Sequence, residues 1–375
     1  MKILHIGKYY PPFHGGIENF LNDLVREQVG QGHEVKVLCH QHERGRATTS
    51  EIFDKGLEVV RVNIMGVIAY APVAPGMYGA LKKVLDKFQP DIVHAHMPNA
   101  SAFWLLLTRK RFRLVIHWHS DVVSSKNDRK LRTLYPFYRL FEIRLLTRAD
   151  NVIATSRPYL ETSIPLKQFK HKCVTIPLGI RTDKFVSPGE NADFDAGSEK
   201  DAFILSAGRF TYYKGYEYLI RACTQGYKGR LIIVGDGPLR PDLERLVADL
   251  KLGNQVFMPG KLSDLELHKL FGTCTAFCLP SIERTEAFGV VLLEAMFYGR
   301  PLITTTVEGS GMNEVNIDGV TGLTVEPADS VGLARAMNHM LEDRDRAEEM
   351  GKSGRARLQE KFVMKRIVRE VEKIY

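Results

Sequence analysis

The sequence predicts two doubly wound α/β domains, and three observations carry that prediction. Short β-rich runs alternate with amphipathic stretches along the whole chain, the sign of parallel sheets covered by helices. The alternation restarts after a polar interruption. The chain has 375 residues, more than one hydrophobic core usually organises.

In the first half the strand candidates are KILHI, EVKVLC, LEVVRV, DIVHAH, RLVIHWH, NVIATS and CVTIPLG, with helical patterns over 17–28 and 79–88 between them. The second half repeats the scheme with FILSAGR, GRLIIVGDG, NQVFMPG, AFCLPS, PLITTT and GLTVEP, and with helices over 216–224 and 241–251. One sheet holding all these strands would exceed the usual size, so two are expected. The stretch 180–201 is polar and aperiodic and reads as the linker. Domains are therefore expected at 1–180 and 181–359, facing each other across a cleft at the carboxyl ends of their strands. The last stretch, 360–375, has a helical pattern.

Composition narrows the class. Hydrophobic residues make up 44% and charged residues 26%, ordinary for a globular protein. The five cysteines are scattered, which fits a reducing cytosol better than a disulfide framework. The opening MKILHIGKYYPP is too soon interrupted for a signal peptide, and no stretch approaches the length of a membrane span. A net charge of +8 points to an anionic partner: nucleotide, nucleic acid or lipid surface.

The chemistry gathers at strand ends. In ERTEAFGVVLLEAM, Glu286 precedes an apolar helix and Glu294 falls in its second turn. The N–H groups of the helix start lie between them, so two carboxylate acceptors flank an anion site. A capping acid followed by a salt-bridged helix acid is the plainer reading. In GRFTYYKG, Arg209 ends a strand and Lys214 stands at the next helix start, two cations suited to a diphosphate. Gly235 and Asp236, in IIVGDGP, form a turn that allows close approach of a nucleoside. Gly15 and Gly16 precede a helix in YYPPFHGGIENF, where the backbone can approach a ligand or simply turn.

Strand alternation puts His117 and His119 of HWHSD on one face, with Asp121 close by, and gives His94 and His96 the same spacing. His119 has the stronger claim to the ligand, and His117 and Asp121 are candidates for binding an acceptor. No metal site is expected, because further ligands in fixed geometry are lacking. The Asp193–Asp195 pair lies in the polar linker and reads as linker acidity. No G-x-G-x-x-G opens the first unit and no Walker motif occurs, which disfavours a dehydrogenase and a P-loop kinase.

Taken together, these motifs resemble the retaining GT-B glycosyltransferases of the group 1 family, over nearly the whole chain. The resemblance rests on Glu286 with Glu294, Arg209 with Lys214, the Gly15–Gly16 loop and His119. It implies that Glu286 touches the donor sugar's hydroxyls and Glu294 the ribose, while Arg209 and Lys214 hold the diphosphate. It implies backbone contacts from Phe288, Gly289 and Val290, a diphosphate contact from Gly16, and a place for His119 near the transferred sugar. It further implies catalysis without a metal or other cofactor, a first domain for the acceptor, a second for the donor, and a last helix crossing back to the first domain.

The strings HWHSDVV, IPLGI and SIERTEAFGVVLLEAM are similar to bacterial enzymes that build O-antigen or exopolysaccharide on lipid carriers, many with GDP-mannose. Leu178 departs from the family, where Asn is common. The expected function is therefore transfer of mannose from GDP-mannose to a polyprenyl-diphosphate-linked saccharide. The alternatives are a UDP-sugar donor (glucose or N-acetylglucosamine), a UDP-sugar epimerase, and a basic nucleic-acid binder, the last without any recognised module. Between Arg109 and Arg148 eleven cations face three acids, with aromatic residues interleaved. This stretch is expected to meet an anionic membrane surface from the cytoplasmic side.

Overall fold

The structure is a computed structural model that describes residues 1–13, 15–53, 56–122, 129–185 and 202–375, with side chains for all of these except 129–132. The Asp193–Asp195 pair and most of the expected linker lie outside the described residues. The chain divides into two compact units: Met1–Leu178 with Met364–Tyr375, and Gly179–Val363.

The first unit carries strands β1 (Lys2–Ile6), β2 (Glu34–His40), β3 (Thr49–Ile52), β4 (Glu58–Val62), β5 (Gly66–Ile68), β6 (Ala71–Val73), β7 (Ile92–Met97), β8 (Arg113–Trp118), β9 (Asn151–Ala154) and β10 (Cys173–Thr175). Its helices are α1 (Gly16–Gly30), α2 (Met77–Phe88), α3 (Arg129–Arg148) and α4 (Arg157–Thr162). Eight strands form one sheet in the order β10-β9-β8-β7-β1-β2-β4-β3, and β5 pairs with β6 apart from it. Within the eight-stranded sheet all neighbours are parallel except β3 on β4, and β5 pairs with β6 antiparallel. The central strands are buried along their length, β7 at every residue, because helices cover both faces. Helix α1 buries one stripe that includes Phe20, Leu21, Leu24, Val25 and Gln28. The Ser156 side chain caps α4 by accepting from the Tyr159 N–H.

The second unit contains α5 (Tyr216–Ala222), α6 (Arg240–Asp249), α7 (Asp264–Thr273), α8 (Val290–Phe297), α9 (Met312–Val315), α10 (Ser330–Glu342) and α11 (Arg344–Lys361). Its strands are β11 (Phe203–Ala207), β12 (Arg230–Val234), β13 (Val256–Gly260), β14 (Ala276–Leu279), β15 (Leu302–Thr305) and β16 (Gly322–Val325). They form one parallel sheet, β13-β12-β11-β14-β15-β16. Ile204, Leu219, Ile220, Leu231, Ile233, Cys278 and Met337 are buried together in its core. Ser263 and Glu266 close a capping box on α7. After β13 the chain crosses to the other side of β11 to add β14. The strand order therefore reverses between β11 and β14, the place where open α/β sheets bind ligands.

The helix expected over 360–375 is corrected to two. Helix α11 ends at Lys361, and α12 (Met364–Glu372) begins after a break. The break has a physical cause. Val363 forms a bridge with Ile180, and the Ile180 N–H donates to the Phe362 carbonyl, which holds this step of chain out of helical geometry. Helix α12 packs on α1 within the first unit.

Candidate active site

In the second unit the sequence candidates gather on the loops that follow β11, β12 and β14. The Gly208 N–H donates to the Val234 carbonyl and the Phe210 N–H to the Asp236 carbonyl, so the first two loops are laced together. Gly235 is obligatory here. Its φ is 141°, and a Cβ would stand 1.9 Å from the Gly208 carbonyl oxygen. Gly215 is equally constrained, with φ 68° and a Cβ that would meet the Pro280 carbonyl oxygen at 2.1 Å. These contacts draw the loop after β11 against the loop after β14.

That approach brings Lys214 to Glu286. Their side chains form a direct ion pair, and both are largely buried. The Ser281 hydroxyl donates to the same Glu286 oxygen at 3.3 Å, and the Ser310 hydroxyl donates to the Glu286 carbonyl. Burial alone would lower the Lys214 pKa, but the Glu286 carboxylate, with Tyr216 and Tyr213, raises it above the ordinary lysine range, so the ammonium stays charged. Tyr216 Oη and Thr285 Oγ1, each close in sequence to one member of this pair, are buried and have no partner among the described residues. An unmet buried hydroxyl costs about 1–3 kcal/mol, which a hydroxyl-bearing ligand can return.

Arg209 is exposed, and among the described residues no carboxylate pairs with its guanidinium. Asp236 accepts from the Gly237 N–H at 2.8 Å and is half-buried. Helix α8 starts from Gly289, whose φ is 79°, and presents the first-turn N–H groups of Val290 and Val291. The Phe288 ring is buried with its edge on Phe362, so only its backbone is available to a ligand. Glu294 is half-buried in the second turn of α8.

Sequence reasoning set Lys214 on phosphate and Glu286 on sugar as separate contacts. The structure joins them into one unit, supported by Ser281 and by Ser310 and Gly311 from the loop after β15. The signal for that strap was the small-residue run EGSG after PLITTT. Tyr216 and Thr285 were also missed, since neither spacing nor charge distinguishes them.

In the first unit Gly15 caps α1 with extended backbone, and a Cβ on Gly16 would meet nothing within 4 Å, so neither glycine is forced by φ. The space above Gly16 is open. His119 and His117 belong to a larger group. His5, His94, His96, His117 and His119 form one buried layer on one face of β1, β7 and the end of β8. The His117 and His119 rings lie 4.3 Å apart and 4° from parallel, and Phe20 of α1 meets both edge-on. Burial lowers all five pKa values, to about 4 for His5 and about 3 for His119, so the layer is neutral at physiological pH.

The sets His5–His94–His96 and His96–His117–His119 each bring ring nitrogens within 4.8 Å of one another. Most of these nitrogens are hydrogen-bonded to one another, which engages the lone pairs a metal would need, and both sets contain histidines alone. Asp121 is tied inward: its carboxylate accepts from Trp118 Nε1 at 2.8 Å and from the Ser163 hydroxyl at 2.7 Å. The acceptor role expected of it therefore competes with a structural one. In the basic stretch, Lys110 pairs with Asp150, Arg139 with Glu142, and Arg113 and Arg148 bond to protein oxygens, so these four cations are already engaged.

Two Rossmann-like sheets with paired acids, cations and a helix start at the switch point of the second define the class of protein: a glycosyltransferase of GT-B architecture. The fold is like that of sucrose-phosphate synthase from Thermosynechococcus elongatus, with a TM-score of 0.84 and 25% identity, covering 100% of this chain and 98% of that one. The family model "Glycosyl transferases group 1" matches residues 190–357, and "Glycosyltransferase Family 4" matches residues 14–184. The O-antigen chain mannosyltransferase C of Escherichia coli is 30% identical over 377 residues, spanning 100% of this chain and 98% of the relative. The D-rhamnosyltransferase WbpZ of Pseudomonas aeruginosa is 34% identical over 277 residues, 73% of this chain and 70% of the relative. The chain belongs to the group 1 glycosyltransferases.

Proposed function

We propose that this glycosyltransferase moves mannose from GDP-mannose, with retention and without a metal, onto a polyprenyl-diphosphate-linked saccharide in surface polysaccharide assembly. The observation that carries the reading is the Lys214–Glu286 pair at the switch point of the second unit, with Arg209 exposed on the adjoining loop. Breaking the anomeric bond builds negative charge on the departing diphosphate. A lysine kept charged by its carboxylate, the Arg209 fork and the first turn of α8 are suited to stabilise that charge. Glu286 is suited to accept from the sugar hydroxyls and Glu294 from the ribose. Among the described residues the site supplies no evident nucleophile, and we infer attack on the same face, with the departing phosphate taking the acceptor's proton.

The manno configuration is supported by the relatives' names. One is a mannosyltransferase and the other a D-rhamnosyltransferase, and D-rhamnose is 6-deoxymannose. The O-antigen name supports a lipid-linked saccharide as acceptor. A peripheral, cytoplasmic position at an anionic membrane is supported by α3, which exposes Leu134, Phe137, Leu140 and Phe141. No helix among the described residues is long and apolar enough to cross a membrane.

The test is transfer followed by NMR, with GDP-mannose, UDP-glucose and UDP-N-acetylglucosamine each offered with a polyprenyl-diphosphate saccharide. An α-mannoside formed from GDP-mannose is the expected product. Transfer from a UDP-sugar alone would overturn the donor assignment. A sugar nucleotide isomerised without acceptor would replace the reading with an epimerase.

A further inference from the structure

The buried histidine layer is not a set of isolated rings. Its hydrogen bonds form one path: His119 Nε2 to His96 Nδ1 at 2.9 Å, His96 Nε2 to His5 Nδ1 at 3.0 Å, and His5 Nε2 to Gln28 Oε1 at 2.8 Å. The path continues from Gln28 Nε2 to Tyr375 Oη at 3.0 Å, from Tyr375 Oη to His94 Nδ1 at 2.6 Å, and from His94 Nε2 to His117 Nδ1 at 3.3 Å. The two ends, His119 Nδ1 and His117 Nε2, are buried and have no partner among the described residues.

A neutral imidazole has one N–H and one lone pair, while an amide oxygen only accepts and an amide nitrogen only donates. Gln28 therefore sets the direction of every proton along the path. Its Oε1 requires an N–H on His5 Nε2, which leaves His5 Nδ1 as an acceptor. His96 must then donate from Nε2 and accept at Nδ1, and His119 must donate from Nε2. On the other side Gln28 Nε2 donates to Tyr375, whose hydroxyl donates to His94 Nδ1, and His94 Nε2–H donates to His117 Nδ1. The ends are fixed as a lone pair on His119 Nδ1 and an N–H on His117 Nε2.

We propose that Gln28 is a positioning residue for glycosyl transfer: acting through His5 and His96, it holds His119 in the tautomer whose bare Nδ1 can accept a hydrogen bond from a hydroxyl-bearing ligand. The link to glycosyl transfer rests on the function proposed above; the tautomer does not. Gln28 lies in the last turn of α1, fully buried, with its amide engaged by His5 and Tyr375. Turning its amide over would reverse every proton on the path and put an N–H on His119 Nδ1. The residue thus controls whether His119 offers a lone pair or a proton, from three hydrogen bonds away.

The experiment is NMR on the full chain labelled with 15N-histidine, in which the two ring nitrogens of each tautomer are distinguished directly. In the wild-type protein His119 is expected to show a protonated Nε2 and a bare Nδ1 from pH 6 to 8. A protonated Nδ1 would overturn the proposal without any variant being made. In Gln28→Met the His119 signals are expected to change to the other tautomer or a mixture. With GDP-mannose, kcat is expected to fall by about 10- to 100-fold with KM changed much less, by analogy with the loss of a hydrogen-bond partner that orients a metal-bound histidine. A Gln28→Met protein with wild-type His119 signals would refute the control assigned to Gln28, whatever its thermal stability. If wild-type protein shows the expected tautomer but transfers no sugar, the function proposed above fails and the proton assignment stands.

Discussion

Acidification should unfold the first unit at an unusually mild pH, because its core holds neutral histidines. His5 and His40 are held at about 4 and His119 at about 3 by burial, each from an ordinary 6.5. These are bases with lowered native pKa values, so the unfolded chain binds more protons than the native one below pH 6.5. Their contribution to stability is complete above that value and is lost as the pH falls towards 4. At pH 4.5 the unfolded chain is two pH units below its histidine pKa, so each of the three costs the native state on the order of 2–3 kcal/mol. Together they remove roughly 6–9 kcal/mol, comparable to the total stability of about 5–15 kcal/mol for a domain. His94, His96 and His117, also lowered by burial, add to the loss.

The assay is built into the sequence. The chain has two tryptophans, Trp104 and Trp118, both in the first unit, and Trp118 is 1% exposed between two of the histidines. Tryptophan emission should move to the red with a midpoint between about pH 4 and 5.5, with at least three protons taken up per molecule unfolded. An emission maximum unchanged at pH 4, or a transition taking up less than one proton, would refute the reasoning.

Three further outcomes follow from the structure. Lys214→Ala leaves the Glu286 carboxylate largely buried without its cation. It should cut kcat/KM for transfer by about 10²- to 10³-fold, and near-normal kinetics would show that the pair is only structural. Gly235→Ala forces a side chain into the Gly208 carbonyl oxygen at positive φ, and urea unfolding of the second unit should show a loss of about 3 kcal/mol or more. An unchanged midpoint would mean that the loop has room. Phe137→Ser with Phe141→Ser removes two exposed rings from α3. Sedimentation with anionic vesicles should weaken in this variant and with added salt, whereas binding indifferent to both would remove the membrane role.

The two parallel sheets were legible because their strands are buried on both faces and so read as near-continuous apolar runs. Strand β3 and the β5–β6 hairpin were not, since TSEI and GVI are short and exposed and carry little periodic signal. The break at Phe362–Val363 depends on Ile180, far away in sequence, and no local pattern announces it. The site shows the same division. Spacing at strand ends named Arg209, Lys214, Glu286 and Glu294, but the ion pair between two of them arises from glycine contacts between loops. Strand alternation put each H-x-H pair on one face. It could not add His5 and Gln28, which come from a neighbouring strand and the covering helix.

Calorimetric titration with GDP-mannose tests the central claim, that the loops after β11, β12 and β14 hold a sugar nucleotide. Wild-type protein should bind one equivalent with a dissociation constant between about 1 μM and 1 mM, and Arg209→Ala should weaken binding at least about tenfold with the fold intact. Equal affinity in Arg209→Ala, or no heat from any GDP- or UDP-hexose with the wild-type protein, would contradict it.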